Sequence, residues 1–287
     1  MVNESPDVPP RRRPGRRLRP TRRGRLVLLI GAVLVLAVAA AVLVPLLTRE
    51  PKSQQATRTL VIPEGWRASQ VYAAADKTLG EPAGTTKKAV ATADLPLPPE
   101  AKGNPEGYLF PATYPITSAT TPKSLLRYMV DTALERFGAD HITAGAQRNG
   151  VTVYQTVTIA SIVQAEADTV SDMGKVARVI HNRLARGMPL QMDSTLNYAM
   201  NRSTLDTTTG DTKIDSPYNS YEHKGLPPTP IGNPGEQAMV AAISPTRGSW
   251  LYFVTVAPGD TRFTDDYAEQ QRNVAEFNRN RRNAGNG

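Results

Sequence analysis

Apolar and polar positions follow different rhythms along the chain, and each rhythm predicts a different kind of element. Residues 26–47 (LVLLIGAVLVLAVAAAVLVPLL) run for 22 positions without a charge. As a helix rising 1.5 Å per residue they reach about 33 Å, enough to cross a hydrocarbon layer about 30 Å thick. A single transmembrane helix is predicted. A cleaved signal peptide is the alternative, and Ala37-Val38-Ala39 has the small-x-small look of a cleavage site. The apolar run nevertheless continues to Leu47, past the h-region of about 7–15 residues that such peptides carry. Residues 1–25, rich in Arg and Pro, cannot bury apolar surface and read as a disordered tail. Residues 48–58 read as a polar spacer.

Beyond the spacer the rhythm changes to short periodic segments. Residues 59–63 (TLVIP) have the β-branched character of a strand, 68–79 carry helix formers, and Gly80 to Gly84 with Pro96, Pro98 and Pro99 punctuate loops. Residues 106–111 (EGYLFP) predict a turn-bounded strand. Residues 123–137 predict a helix with Leu125, Leu126, Met129, Ala133 and Leu134 on one side. The turn Asn149-Gly150 precedes Thr152-Val153-Tyr154-Gln155, which has the Ser/Thr-x-x-Glu/Gln form of a capping box, so a helix begins there. Its apolar stripe through Ile159, Val163 and Val170 passes position 166, four after Ile162 and three after Val163, and that position is Glu166. A second helix, capped by Ser171 or Asp172, turns Val176, Val179, Ile180 and Leu184 inward and stops at Gly187. The two form a hairpin. A strand at 250–256 and a polar helix at 265–279 close the pattern, and no repeat at solenoid periods is present.

A lone carboxylate on an apolar stripe has two readings. It faces a cleft where desolvation raises its pKa toward the range useful to a general acid, or it is a buried acid paired with Arg178 or Arg183 of the next helix. The loops that follow have two readings as well. Residues 190–195 (LQMDST), 216–221 (SPYNSY) and 225–235 (GLPPTPIGNPG) combine amides, aromatics and rigid prolines. Such loops line sugar grooves, where Tyr faces stack and Asn or Gln amides bond hydroxyls, or they are ordinary turn chemistry.

Charge narrows the function classes. Of the net +8 over 287 residues, nine arginines against Glu4 and Asp7 put +7 in the first 25 positions, so the remainder is nearly neutral and a nucleic-acid partner is not expected. The same arginines, against Arg49 and Lys52 after the span, keep the tail cytoplasmic by the positive-inside rule, with everything after about residue 48 exported. With no cysteine, and three histidines 40 and 42 positions apart, neither a metal nor a cofactor is expected.

Five ordered blocks resemble a known family. Residues 158–166 (TIASIVQAE), 176–190 (VARVIHNRLARGMPL), 191–193 (QMD), 216–221 (SPYNSY) and 225–231 (GLPPTPI) look like the endolytic murein transglycosylases, the MltG or YceG-like family, and the likeness extends from about residue 59 to the C-terminal helix. The resemblance implies an α+β protein: a disordered basic tail (1–25), a transmembrane helix (26–47), a spacer (48–58), a small LysM-like subdomain (59–105) and a mixed α/β catalytic domain (106–287). It implies a single-pass enzyme of the cytoplasmic membrane, with its catalytic domain outside, that cuts nascent peptidoglycan glycan strands near the synthases, its candidate partners. By resemblance Glu166 is the catalytic residue, and Gln164 stands where the family often has another acid. Gln191, Asp193, Tyr218 and Asn219 are expected to orient the sugar, with Tyr221 stacking on it or supporting the loop.

A lytic transglycosylase can use one carboxyl as acid and then base, releasing a 1,6-anhydro end, whereas most glycosidases use a pair. Two alternatives stay open: a hydrolase using Asp193 or Asp215 as second carboxylate, and a noncatalytic, membrane-tethered glycan-binding scaffold.

Overall fold

A computed structural model describes residues 58–202 and 208–285. The tail at 1–25, the span at 26–47 and the spacer up to residue 57 lie outside them; among the described residues no helix is long and apolar enough to cross a membrane. What is described mixes helices with small antiparallel sheets.

The first sheet joins β1 (Arg58–Val61) to β2 (Thr113–Ile116), with Leu60 opposite Tyr114. The period-2 rule holds: Leu60 and Ile62 are buried while Val61 between them is 58% exposed. Between these strands lie α1 (Ala68–Leu79), at the expected residues, and α2 (Thr85–Ala89). Pairing of β1 with a strand beyond residue 105 carries this sheet into the segment after the expected subdomain boundary, and one hydrophobic cluster runs from Leu60 and Val71 through to Ile243.

Residues 106–111 are not a strand. They form turns, with Gly107 at φ +87°, outside the extended region that a strand needs. The helices α3 (Pro122–Phe137) and α4 (Asp140–Arg148) follow β2. Then comes α5 (Val153–Glu166), whose capping box is present: Thr152 Oγ1 accepts from Gln155 N at 3.1 Å and Gln155 Oε1 accepts from Thr152 N at 2.9 Å.

Every residue of α5 from Thr156 to Val163 is buried, because α4, α6 (Val170–Ala185), α7 (Asp193–Ala199) and α8 (Glu236–Ile243) surround it. The one-sided stripe expected of it is therefore a helix dry on all sides between 156 and 163, and it ends at Glu166. Ala167 is extended, so Val170, expected on the same stripe, opens α6 at 59% exposure. The N-cap of α6 is Thr169, not Ser171 or Asp172: its extended backbone lets Oγ1 accept from Asp172 N at 3.1 Å. The β3 (Tyr252–Ala257) and β4 (Asp260–Thr264) hairpin and α9 (Tyr267–Gly285) complete the chain.

Candidate active site

Glu166 is placed by the last turn of the most buried helix. Its side chain is half-buried, and Oε1 accepts from the backbone N–H of Ser194 in the first turn of α7 at 3.1 Å. Ser194 Oγ lies buried beside the carboxyl with no partner in hydrogen-bond geometry. Burial pushes the Glu166 carboxyl above the ordinary carboxylate range, against the pull of Ser194, and the negative Asp193 pushes it further up.

The arginines that would neutralise a structural acid are engaged elsewhere. Arg178 donates to the carbonyls of Pro245 and Thr246. Arg183, 6% exposed, donates to the carbonyls of Leu251, Pro189 and Leu190 and to Gln191 Oε1. Neither meets Glu166, so the reading of this residue as a buried half of an ion pair fails.

Two loops converge on α7. Ser220 ties them: its carbonyl accepts from Gln191 N and its Oγ from Met192 N, both at 2.9 Å. Tyr221 donates its hydroxyl to Asp193 Oδ1 at 2.5 Å, and burial, followed by that carboxylate, pushes its phenol up. Tyr218, half-buried, packs its ring 4.9 Å from Tyr198 of α7 and shares a 2.8 Å bond with Thr229. The proline-rich loop sits on α5 through Ile231 N, which donates to Ser161 Oγ at 3.0 Å.

Glu166, Asp193 and Tyr221 are thus brought together, while Tyr218, from its loop, packs against Tyr198 at the other end of the same short helix. Gln191 is held at the exposed edge by Arg183, its backbone at φ +51°. Asn219 does not fit direct sugar contact: fully buried, it donates to the carbonyls of Thr212 and Ile214 and accepts from Tyr221 N, so its amide holds the loop. Gln164 Oε1 accepts from Gly235 N at 3.1 Å, a contact that needs no charge.

One charged group went unnoticed in the sequence. Glu106 is 4% exposed; its Oε1 accepts from Ala68 N at 2.9 Å and from Asn233 Nδ2 at 3.4 Å, and its Oε2 from Tyr198 Oη at 3.1 Å. Burial raises it to about 7, in spite of those bonds and of nearby Arg67. The signal was available, since an acid within the apolar run at 105–111 is the pattern that singled out Glu166.

Two concavities are lined by other residues. One of about 580 Å³ is bordered by Lys102, Tyr154 and Pro227, another of about 210 Å³ by Phe137 and His141, and neither includes Glu166. Among the described residues no group of three or more His, Asp or Glu is arranged to hold a metal ion.

What the cluster can do follows from its electrostatics. A desolvated carboxyl beside a negative neighbour and without a cation keeps its proton closer to neutrality. Once deprotonated in the same surroundings, it is a stronger base than an exposed carboxylate. One side chain is thereby suited to give a proton and to take one back.

The sequence profile of the YceG-like family matches residues 37–276. The endolytic murein transglycosylase of Bacillus subtilis strain 168 is 36% identical over 171 residues, 58% of this chain and 46% of its own length. The protein of the same name from Streptococcus pneumoniae serotype 2 is 34% identical over 260 residues, 80% of this chain and 46% of its own length. The chain spans about half the length of these curated relatives. The 2.6 Å crystal structure of a YceG-like protein from Listeria monocytogenes superposes with a TM-score of 0.68 at 30% identity, covering 75% of each chain.

Proposed function

The chain belongs to the YceG-like family, and we propose that it is an endolytic lytic transglycosylase of peptidoglycan, cutting the MurNAc–GlcNAc bond of nascent strands with Glu166 as acid and then base. The observation that carries this reading is the desolvated, cation-free Glu166 carboxyl beside Asp193, on a chain similar to proteins named endolytic murein transglycosylase. Protonated Glu166 gives its proton to the glycosidic oxygen as the bond to MurNAc C1 breaks and an oxocarbenium-like centre develops. The carboxylate then takes the proton of the C6 hydroxyl as O6 closes onto C1. A 1,6-anhydroMurNAc end and a free GlcNAc hydroxyl result, with no water consumed. Tyr218, Tyr221, Asp193 and Gln191 orient the sugar, and Asn219 acts through the loop it holds.

The rest of the reading places this chemistry outside the cell. Residues 26–47 anchor the chain in the cytoplasmic membrane with the tail inside, residues 59–105 are the LysM-like part, and peptidoglycan synthases are the candidate neighbours. A hydrolase using Asp193 as a second carboxylate is the competing reading, favoured by the closeness of Asp193 to Glu166.

Full-length chain incubated with uncrosslinked glycan, followed by mass spectrometry of the new ends, separates the two, since hydrolysis adds one water. Glu166→Gln is expected to fold and to lose on the order of 100-fold or more of the activity, as removal of a general acid does. Near wild-type cutting by Glu166→Gln would refute the assignment.

A further inference from the structure

Glu106 is the buried acid that this chemistry leaves unused, and it stands where three elements meet. Its carboxylate receives Ala68 N–H at the start of α1, Tyr198 O–H near the end of α7, and the amide of Asn233 in the proline-rich loop. Asn233, itself fully buried, also accepts from Leu109 N at 2.8 Å and donates to Trp66 O at 2.8 Å, so that loop is pinned at the same point. All three groups donate toward Glu106. A carboxylate accepts from all of them, and its charge strengthens the O–H···O bond that fixes Tyr198.

Tyr198 carries the effect to the site. It lies four residues after Ser194, on the same side of α7. Ser194 N–H is the donor to Glu166, and the Tyr198 ring is the neighbour of Tyr218. The charged and titratable groups around Glu106 are Arg67 ahead of α1, Tyr72 on α1 and Tyr198 on α7, and Arg67 stands over the Tyr198 ring at 5.3 Å. Among the described residues no ion pair includes Glu106. The acid holds a tyrosine rather than balancing a cation.

We propose that Glu106 is a positioning residue: through Tyr198 it sets α7 so that the Ser194 amide meets Glu166 and Tyr218 meets the sugar. The kinetic test rests on the transglycosylase reading and uses the full-length chain. Glu106→Gln and Tyr198→Phe are each expected to lower kcat about tenfold with KM within about twofold. Acting through one contact, the double variant is expected to lose about tenfold, not the hundredfold of independent sites. A multiplicative loss, a change confined to KM, or single variants within twofold of wild type would each overturn the proposal.

Hydrogen exchange of the same proteins reads the positioning without any substrate. Amides of residues 194–198 are expected to exchange about tenfold faster in both single variants, with those of α5 unchanged. Unaltered exchange in α7 would overturn the proposal whatever the kinetics. Wild-type protein that adds water to the new ends, or releases none, would defeat the transglycosylase reading alone, and exchange would still decide the role of Glu106.

Discussion

Replacing Glu106 by Gln is expected to stabilise the protein at pH 8, although the same change slows it. In the folded protein this carboxyl sits at about 7, against its ordinary 4.5, because burial disfavours its charge. Between those pH values the folded chain keeps a proton that the unfolded chain has released. Stability therefore falls as pH rises from about 4.5 to about 7, with no further change above. At 1.36 kcal/mol per pH unit the full penalty is about 3 kcal/mol. Glutamine removes the charge and keeps the shape: its oxygen accepts from Ala68 N–H, but its NH2 can offer Tyr198 only a weaker, neutral bond to a hydroxyl turned the other way, so the fold gains while the grip on Tyr198 is lost. For a folded part of this size the gain corresponds to a rise in Tm of roughly 6–12 °C. The assay is thermal unfolding of detergent-solubilised full-length protein between pH 4 and 8. The two proteins should melt nearly together at pH 4 and diverge as pH rises, with wild type below. A wild-type Tm that climbs through this range, or a Glu106→Gln protein that melts lower at pH 8, would refute the reasoning. Greater stability with lower activity would mark a group kept for function, whereas a purely structural acid would leave the protein weaker when replaced.

Two further outcomes follow from the geometry. Gly107→Ala should cost about 2 kcal/mol or more, because φ is +87° and the added Cβ would stand 2.5 Å from Pro230 Cγ and 3.1 Å from Val157 Cγ1; chemical denaturation measures it, and a loss under 0.5 kcal/mol would contradict the packing. With residues 26–47 as an anchor and the tail inside, protease added to intact cells stripped of wall should degrade the part after residue 58 and leave the tail, and protection of that part until lysis would reverse the topology.

Some elements were legible because their signals are local. The capping box of α5, the helix at 68–79 and the glycine beyond α6 depend on neighbours within four residues, and each stands where the pattern put it. Elements decided by distant partners were not legible. β2 exists because β1 pairs with it, some 55 residues earlier, whereas the more apolar 106–111 turns at Gly107 under the proline loop. α8, which covers the α5 face, lay directly behind a proline-rich loop whose turn residues dominated that stretch.

The site divides along the same line, for a physical reason. Glu166 could be found from periodicity because a charge on an apolar stripe is a local contradiction, and a contradiction costs free energy that something must offset. Asn219 could not be read so, since a polar residue in a polar loop contradicts nothing. Only its three bonds show that it holds backbone where sugar contact was expected. Glu106 obeys the Glu166 rule and was still missed, because 106–111 read as a turn-bounded strand, and an acid at the first position of a strand contradicts nothing. Both acids are half or fully dry, neither is in an ion pair among the described residues, and both bond α7, one at each end. A seven-residue helix gripped by two costly carboxyls is hard to justify by stability, since glutamine would fill the same space at less desolvation cost. The costs are intelligible if one acid moves the proton and the other holds in place the helix it reports to.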